Sequence, residues 1–185
     1  VLVGQGVELG NAREELRTFV EKADLPFGCT LLGLSAIASN HPLNKGMLGM
    51  HGNLAPNVKT NECDVLIAVG MRFDDRVTGK LDTYAKQAKV IHMDIDPSEI
   101  NKNVKVDIPL LGDCKNTLAR LNELIQEAKH TAWIESFEEY AQRENEQVIE
   151  KEIHPTEGPL TMGEVIRSIS EATHNEAILV TDVGQ

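Results

Sequence analysis

At 185 residues, with 41% hydrophobic and 25% charged side chains, the chain has the composition of a soluble globular protein and the length of one ordinary domain plus additional material. Its formal charge of −11, with 18 Lys and Arg scattered rather than clustered, sets it against nucleic acid and anionic membranes as partners, because both repel an acidic surface that lacks a basic patch. Cys29, Cys63 and Cys114 fall singly with no C-x-x-C pair, and nothing resembles a signal peptide or a membrane span, so a disulfide framework and a zinc ribbon are disfavoured and a reducing, cytoplasmic setting is expected.

In chain order, "VLVG" (1–4) reads as a buried strand leading into a helix that Asn11 can cap, with Glu14 three positions on and Leu16, Phe19, Val20 and Ala23 on one face. "FGCTLL" (27–32) reads as a second strand, followed by a long loop rich in Gly, Asn and His (33–52), a short helix ending near Glu62, and an apolar strand over 64–69. "KVIHMDI" (89–95) is the next strand, stopped by "DPSE", where Asp96 can cap, Pro97 suits the first helical position and Glu99 completes a capping box. "VKVDIPLLGD" supplies a further strand and a turn, and Asp113 starts a helix with Cys114, Leu118, Leu121, Ile125 and Ala128 in register. This alternation predicts an α/β fold with a doubly wound, mostly parallel, Rossmann-like sheet.

From Thr131 to about Lys151 the composition turns acidic around a modest stripe of Trp133, Phe137, Tyr140 and Val148, the pattern of a solvated helix leaning on the domain. "EIHPTEGPL" reads as a linker, Thr161 and Glu164 as the capping box of a helix with Met162, Val165, Ile166 and Ile169 on its face, and "AILVTD" as a buried strand. The expected organisation is therefore an α/β domain over 1–130, an acidic helix and linker over 131–159, and the start of another domain over 160–185. Because "VLVGQG" opens inside a strand and "TDVGQ" stops just after one, the chain is expected to be a fragment.

Ligands of open parallel sheets sit beyond the carboxyl ends of the strands. Four segments are expected there: "GQG" (4–6), "CTLLG", "GMRFDDR" and "DIDP". Gly4 and Gly6 allow close backbone approach, although G-x-G alone is also a common tight turn. Arg72 and Arg76 offer planar forks of donors to phosphate or carboxylate, or they pair with Asp74 and Asp75 as a surface network; an aspartate orienting an arginine that grips a phosphate satisfies both readings. His51 suits stacking or hydrogen bonding better than catalysis, and no second ligand stands at metal spacing. His92 reads as a packed strand histidine, Asp94 as a ribose acceptor and Asp96 as a cap, while Met47 and Met50 serve either to cover a flat ring or to fill the core.

"LGMHG" followed by "GMRFDDRVTG", "IHMDIDPSEINKN", "LLGD" and "TDVGQ" resembles the acetolactate synthase (acetohydroxyacid synthase) large-subunit family across the whole chain, most specifically through "GMHG" joined to "RFDDRVTG". That family consists of three-domain thiamine diphosphate enzymes, and the resemblance is to the central, FAD-binding domain plus the opening of the third. It implies that Gly4 and Gly6 approach the flavin nucleotide, with Thr30 and Leu31 at the end of the second strand and Leu48, Gly49, Met50 and His51 on the neighbouring loop. Gly70, Arg72, Asp74, Arg76 and Val77 would hold the pyrophosphate and adjoining groups, Asp94 and Ile95 the adenosine, and Asp113 and Cys114 the adenine end. Gln5 departs from the family, which runs three small residues after its first strand.

The implied reaction joins a two-carbon unit from decarboxylated pyruvate to a second 2-oxo acid, pyruvate or 2-oxobutyrate, on the path to isoleucine and valine. The thiamine-activating glutamate and the magnesium-diphosphate motif belong to the other two domains of such enzymes, so no catalytic residue is expected here and the chain alone should be inactive. The flavin of the family undergoes no obligatory redox change, and a homo-oligomer with a small regulatory subunit is implied. The alternatives are the central domain of another thiamine diphosphate carboligase or decarboxylase, and a stand-alone nucleotide-binding module.

Overall fold

The short apolar runs of the inner strands are largely buried on both faces, whereas the two edge strands are half-buried or exposed. In the computed structural model, which describes residues 1–181, β1 (Leu2–Val3), β2 (Phe27–Cys29), β3 (Asn44–Met47), β4 (Val65–Val69), β5 (Lys89–Asp94) and β6 (Ile108–Leu111) make one sheet in the order β3-β2-β1-β4-β5-β6. Every pairing is parallel. This is the doubly wound α/β order, in which strand succession reverses between β1 and β4 and opens a crevice at their carboxyl ends.

Neighbouring residues on a strand enter opposite layers of core. Val3, Phe27, Val69 and Met93 pack with Val7 of α1 (Gly6–Leu9), Leu16, Phe19 and Val20 of α2 (Arg13–Lys22), and Leu118 of α5 (Cys114–Leu124). Leu2, Leu66, Ala68 and Val90 pack on the other face with Leu48, Met71, Phe73 and Tyr84; α3 (Leu54–Thr60) lies on this side, its Pro56 beside Gly28 and Leu48. Two covered faces explain why the strands read as continuous hydrophobic runs rather than alternating ones.

Several expectations are corrected. The first helical stretch is split, and Asn11 stands between α1 and α2 with a left-handed φ of +50°, so α2 begins after Ala12 with no side-chain cap. The second strand ends at Cys29, and Leu31–Gly33 forms a single 3-10 turn. Asp96 does cap, accepting from the Ser98 amide, but it caps only the short turn Pro97–Glu99, and Glu99 pairs with Lys102. β5 ends at Asp94, one residue short of the expected strand 89–95. α5 starts at the Asp113 cap as expected and stops at Leu124, which leaves Ala128 beyond the helix, bonded to the Lys22 carbonyl. The supposed loop 33–52 contains β3, an edge strand.

The chain divides into two compact units, Val1–Ala141 and the residues from Gln142 onward. The acidic segment comprises α6 (Thr131–Glu135), α7 (Glu138–Glu144), a π-helical turn Asn145–Ile149 and α8 (Glu150–Ile153). Within the first unit Trp133 and Phe137 stack edge to face with ring centres 5.5 Å apart, and Lys59, paired with Glu62 at 2.7 Å, lies 5.2 Å from the Trp133 ring centre and 5.1 Å from that of Tyr140.

In the second unit Thr161 caps α9 (Met162–Ala172) by accepting from the Glu164 amide, and Arg167 Nε donates to the Ile153 carbonyl at 2.8 Å. The stretch 177–181 forms no strand, contrary to expectation: its backbone has no ladder partner among the described residues, and Ile178 and Val180 are exposed. Residues 182–185, the "DVGQ" of "TDVGQ", lie outside the described residues. Among the described residues no helix is long and apolar enough to cross a membrane.

Candidate functional site

At the crevice the turn after β1 lies directly on the turn after β4. The Gly4 amide donates to the Val69 carbonyl at 2.9 Å and the Gly6 amide to the Gly70 carbonyl at 2.8 Å. A Cβ on Gly4 would stand 2.3 Å from the Gly70 oxygen, and one on Gly70, whose φ is +57°, would stand 2.7 Å from the Gly6 Cα. The close approach these glycines permit is thus, in the first place, between two backbone turns. Gln5, between Gly4 and Gly6, is exposed and leaves that contact intact.

The loop after β3 joins from the far side. Leu48 is buried with its amide on the Cys29 carbonyl at 2.8 Å, and Gly49 has a left-handed φ of +99°. Asn57 clamps Gly49, accepting from its amide and donating to its carbonyl, both at 2.9 Å. Met50 and His51 stand exposed beyond it, and the Met50 amide donates to the Arg76 carbonyl at 2.8 Å. At the end of β2 the Thr30 amide bonds the Val3 carbonyl at 2.8 Å and Leu31 is exposed at the same edge.

The arginine segment leaves β4 through Met71 and Phe73, both buried, with Arg72 between them pointing outward and 67% exposed at its side chain. Asp74 caps the single turn α4 (Asp75–Thr78): its Oδ1 accepts from the Arg76 amide at 3.1 Å and the Val77 amide at 3.2 Å. Its Oδ2 lies 3.5 Å from Arg72 Nε, so this aspartate orients Arg72 without burying it. Arg76 Nη1 touches Met50 Sδ at 3.8 Å and has no carboxylate partner among the described residues. Of the two readings of the arginines, mutual pairing therefore holds for one aspartate and one arginine, and both guanidinium groups keep donors free for an anion.

On the other flank, buried Asp94 accepts from the Asp96 amide at 2.9 Å, Ile95 is exposed, and Asp113 accepts from the Asn116 amide at 3.1 Å. Cys114 is buried against the glycine turns; a Cβ on Gly70 would come within 3.0 Å of its Sγ. Burial, with Asp113 and Asp94 adding repulsion, pushes its thiol up to about 11, so it offers no nucleophile near neutral pH. His92 is fully buried, as expected of a packed strand histidine.

All seventeen residues singled out for cofactor contact lie at one edge of the sheet, and those of the turns after β1, β3 and β4 touch. Asn57, Asn103 and the backbone role of His92 were not anticipated: each acts on a carbonyl or amide distant in sequence, and no local pattern marks them. A cavity of about 640 Å³ opens at the opposite, amino end of the strands among Val1, Phe27, Leu66, Lys59 and Trp133. Its walls are largely apolar and its lysine is already paired, so it is no rival for anion recognition. Among the described residues no group of three or more His, Cys, Asp or Glu is arranged to hold a metal ion.

Residues 1–121 match the family described as thiamine pyrophosphate enzyme, central domain. The chain is 43% identical to an acetolactate synthase large subunit of Parasynechococcus marenigrum over 99% of its own length and 29% of that protein. It is 43% identical to a probable acetolactate synthase large subunit of Methanocaldococcus jannaschii, covering 100% of the chain and 32% of the relative. With the acetolactate synthase isozyme 2 large subunit of Escherichia coli K12 it shares 40% identity over 99% of the chain and 32% of the relative. The chain thus spans about a third of the length of these relatives.

Proposed function

The chain belongs to the central-domain family of thiamine pyrophosphate enzymes, and from that premise we propose that it is the central domain of an acetolactate synthase large subunit whose sheet edge holds FAD. The observation that carries the reading is the junction of the turns after β1, β3 and β4 beneath two arginines that keep free donors on a chain of net charge −11. A dinucleotide is a fitting ligand for such a junction: its diphosphate takes the guanidinium forks, and its two flat ends extend along the crevice to either side.

In this assignment Arg72 and Arg76 grip the diphosphate, with Asp74 holding Arg72 in line and Val77 beneath. Gly4, Gly6 and Gly70 bring backbone close to the same group. Thr30, Leu31 and the Leu48–His51 loop flank the flavin side, and Asp94, Ile95, Asp113 and Cys114 the adenosine side. The flavin serves architecture rather than electron transfer. Bound only to the folded state, a ligand at a hundredfold excess over Kd adds about 2.7 kcal/mol of stability.

The whole enzyme would condense a two-carbon unit from pyruvate with a second 2-oxo acid, pyruvate or 2-oxobutyrate, in the cytoplasm, toward branched-chain amino acids. Thiamine diphosphate and magnesium would be held outside these residues, in a homo-oligomer with a small regulatory subunit, and the segment from about residue 160 would open the next domain. The deciding experiment is Arg72→Ala in the full-length protein, with FAD and thiamine diphosphate affinities measured side by side. A selective loss of FAD is expected; equal loss of both cofactors, or of neither, removes the assignment.

A further inference from the structure

We infer that His92 and Asn103 are positioning residues for Arg72, each fixing the backbone carbonyl of one of its two neighbours in the chain; this rests on the flavin reading of the site. His92 Nε2 lies 2.9 Å from the Met71 carbonyl, and Asn103 Nδ2 donates to the Phe73 carbonyl at 2.6 Å. A carbonyl only accepts, so the imidazole carries its proton on Nε2. The side chains of Met71 and Phe73 are themselves buried, while that of Arg72 projects to the opposite side. The base of the arginine is therefore held at four points, two side chains and two carbonyls, while its head stays free.

The chemistry at His92 shows that packing alone is not its task. The ring is fully buried, Phe73 stands edge-on at 5.0 Å, and the remaining nitrogen, Nδ1, has no hydrogen-bond partner. An orphaned buried acceptor costs stability that a leucine or phenylalanine in the same space would not. What offsets the cost is the bond from Nε2 to the arginine segment. Asp94 Oδ2, 3.7 Å from Nε2, lies beyond hydrogen-bond range and leaves that bond directed at Met71. A guanidinium whose backbone is already fixed loses less freedom on gripping an anion, which is the benefit the two anchors supply.

The test is a set of FAD dissociation constants for the full-length protein, read by flavin fluorescence. It covers wild type, Arg72→Ala, His92→Leu, Asn103→Ala and the two doubles with Arg72→Ala. His92→Leu and Asn103→Ala are each expected to weaken FAD about tenfold in the wild-type background and less than about twofold once Arg72 is gone. His92→Gln, whose amide nitrogen reaches the place of Nε2, should recover most of the affinity. A tenfold loss in both backgrounds, or no loss in either single variant, overturns the inference. Should His92→Leu not fold, Asn103→Ala decides by the same comparison, and a His92→Gln variant that folds yet loses FAD about tenfold also overturns the inference. Unchanged FAD affinity in Arg72→Ala is a different result: it removes the reading of the site and this inference with it.

Discussion

The Met50 amide donates to the Arg76 carbonyl at 2.8 Å, which ties the loop after β3 to the turn after β4 although β2 and β1 stand between those strands in the sheet. The arginine segment therefore returns past the ends of the two intervening strands instead of leaving the sheet. Gly49 makes the junction possible, since a Cβ there would lie 2.5 Å from the Arg76 oxygen.

Asn57 is the support of that junction, because it occupies both the amide and the carbonyl of Gly49. Asn57→Ala removes two hydrogen bonds at partly buried backbone groups and should cost about 2 kcal/mol in urea denaturation. The variant should also lose FAD affinity in the full-length protein. Undiminished stability would show that water replaces the side chain without penalty.

Gly70 and Gly79 separate backbone strain from steric overlap. Their φ values are nearly equal, +57° and +56°, yet a Cβ on Gly79 meets nothing within 4 Å, whereas one on Gly70 would overlap Gly6. Gly79 combines that φ with ψ −122°, outside the left-handed helical region and open in practice to glycine alone, so Gly79→Ala should cost about 2 kcal/mol from backbone strain. Gly70→Ala should cost about 2 kcal/mol more, because the obstruction is backbone and cannot rotate away. Equal urea midpoints for the two variants would refute the close packing of the turns.

Legibility in the sequence tracks how local each determinant is. The inner strands were readable because burial on two faces demands a largely apolar run, which β4 displays most plainly, and β6 was readable from its own Ile108, Leu110 and Leu111 although it is an exposed edge strand. β3, "NKGM", was hidden: as a half-buried edge strand it needs no such run, and its register is held by Asn53, which accepts from the Met47 amide. "AILVT" (177–181), the described part of the last expected strand, failed in the opposite way, since an apolar run makes a strand only where a neighbouring ladder exists. The arginines, the glycines and the Asp96 and Asp113 caps were legible because their chemistry is written within a few residues. The supports were not: His92 acts over 21 residues and Asn103 over 30, and spacing carries no trace of such contacts.

The three thiols should be silent in the native state. Burial pushes Cys29 up to about 12 and Cys114 up to about 11, and raises Cys63 as well. At pH 8 only about one Cys114 in a thousand is then thiolate, and access is blocked besides. Ellman's reagent should find no fast-reacting thiol in folded protein and three after denaturation. A fast native thiol would show that at least one of the three buried sites opens to solvent.

Asp24 gives the first unit an acid-sensitive clasp. Its Oδ2 accepts from the His130 amide at 2.7 Å, and Lys129 Nζ stands 3.4 Å from Oδ1, so the segment after α5 is tied back to the end of α2. The His130 amide bond foremost, then Lys129, lowers the carboxyl below its usual value against the opposing effect of burial. A carboxylate depressed in the folded state contributes stability above its unfolded value, about 3.9, and loses it as pH falls through the lower folded value. Asp24→Asn keeps an acceptor for His130 and tolerates the left-handed φ of +51°, so it removes chiefly the charge. The urea midpoint of the variant should fall below that of wild type at pH 7 and converge with it below about pH 4. Lys129→Ala should do little at either pH, because that ammonium is solvent-screened. A gap between Asp24→Asn and wild type that does not narrow on acidification would mean that packing around residue 24, not its charge, holds the clasp.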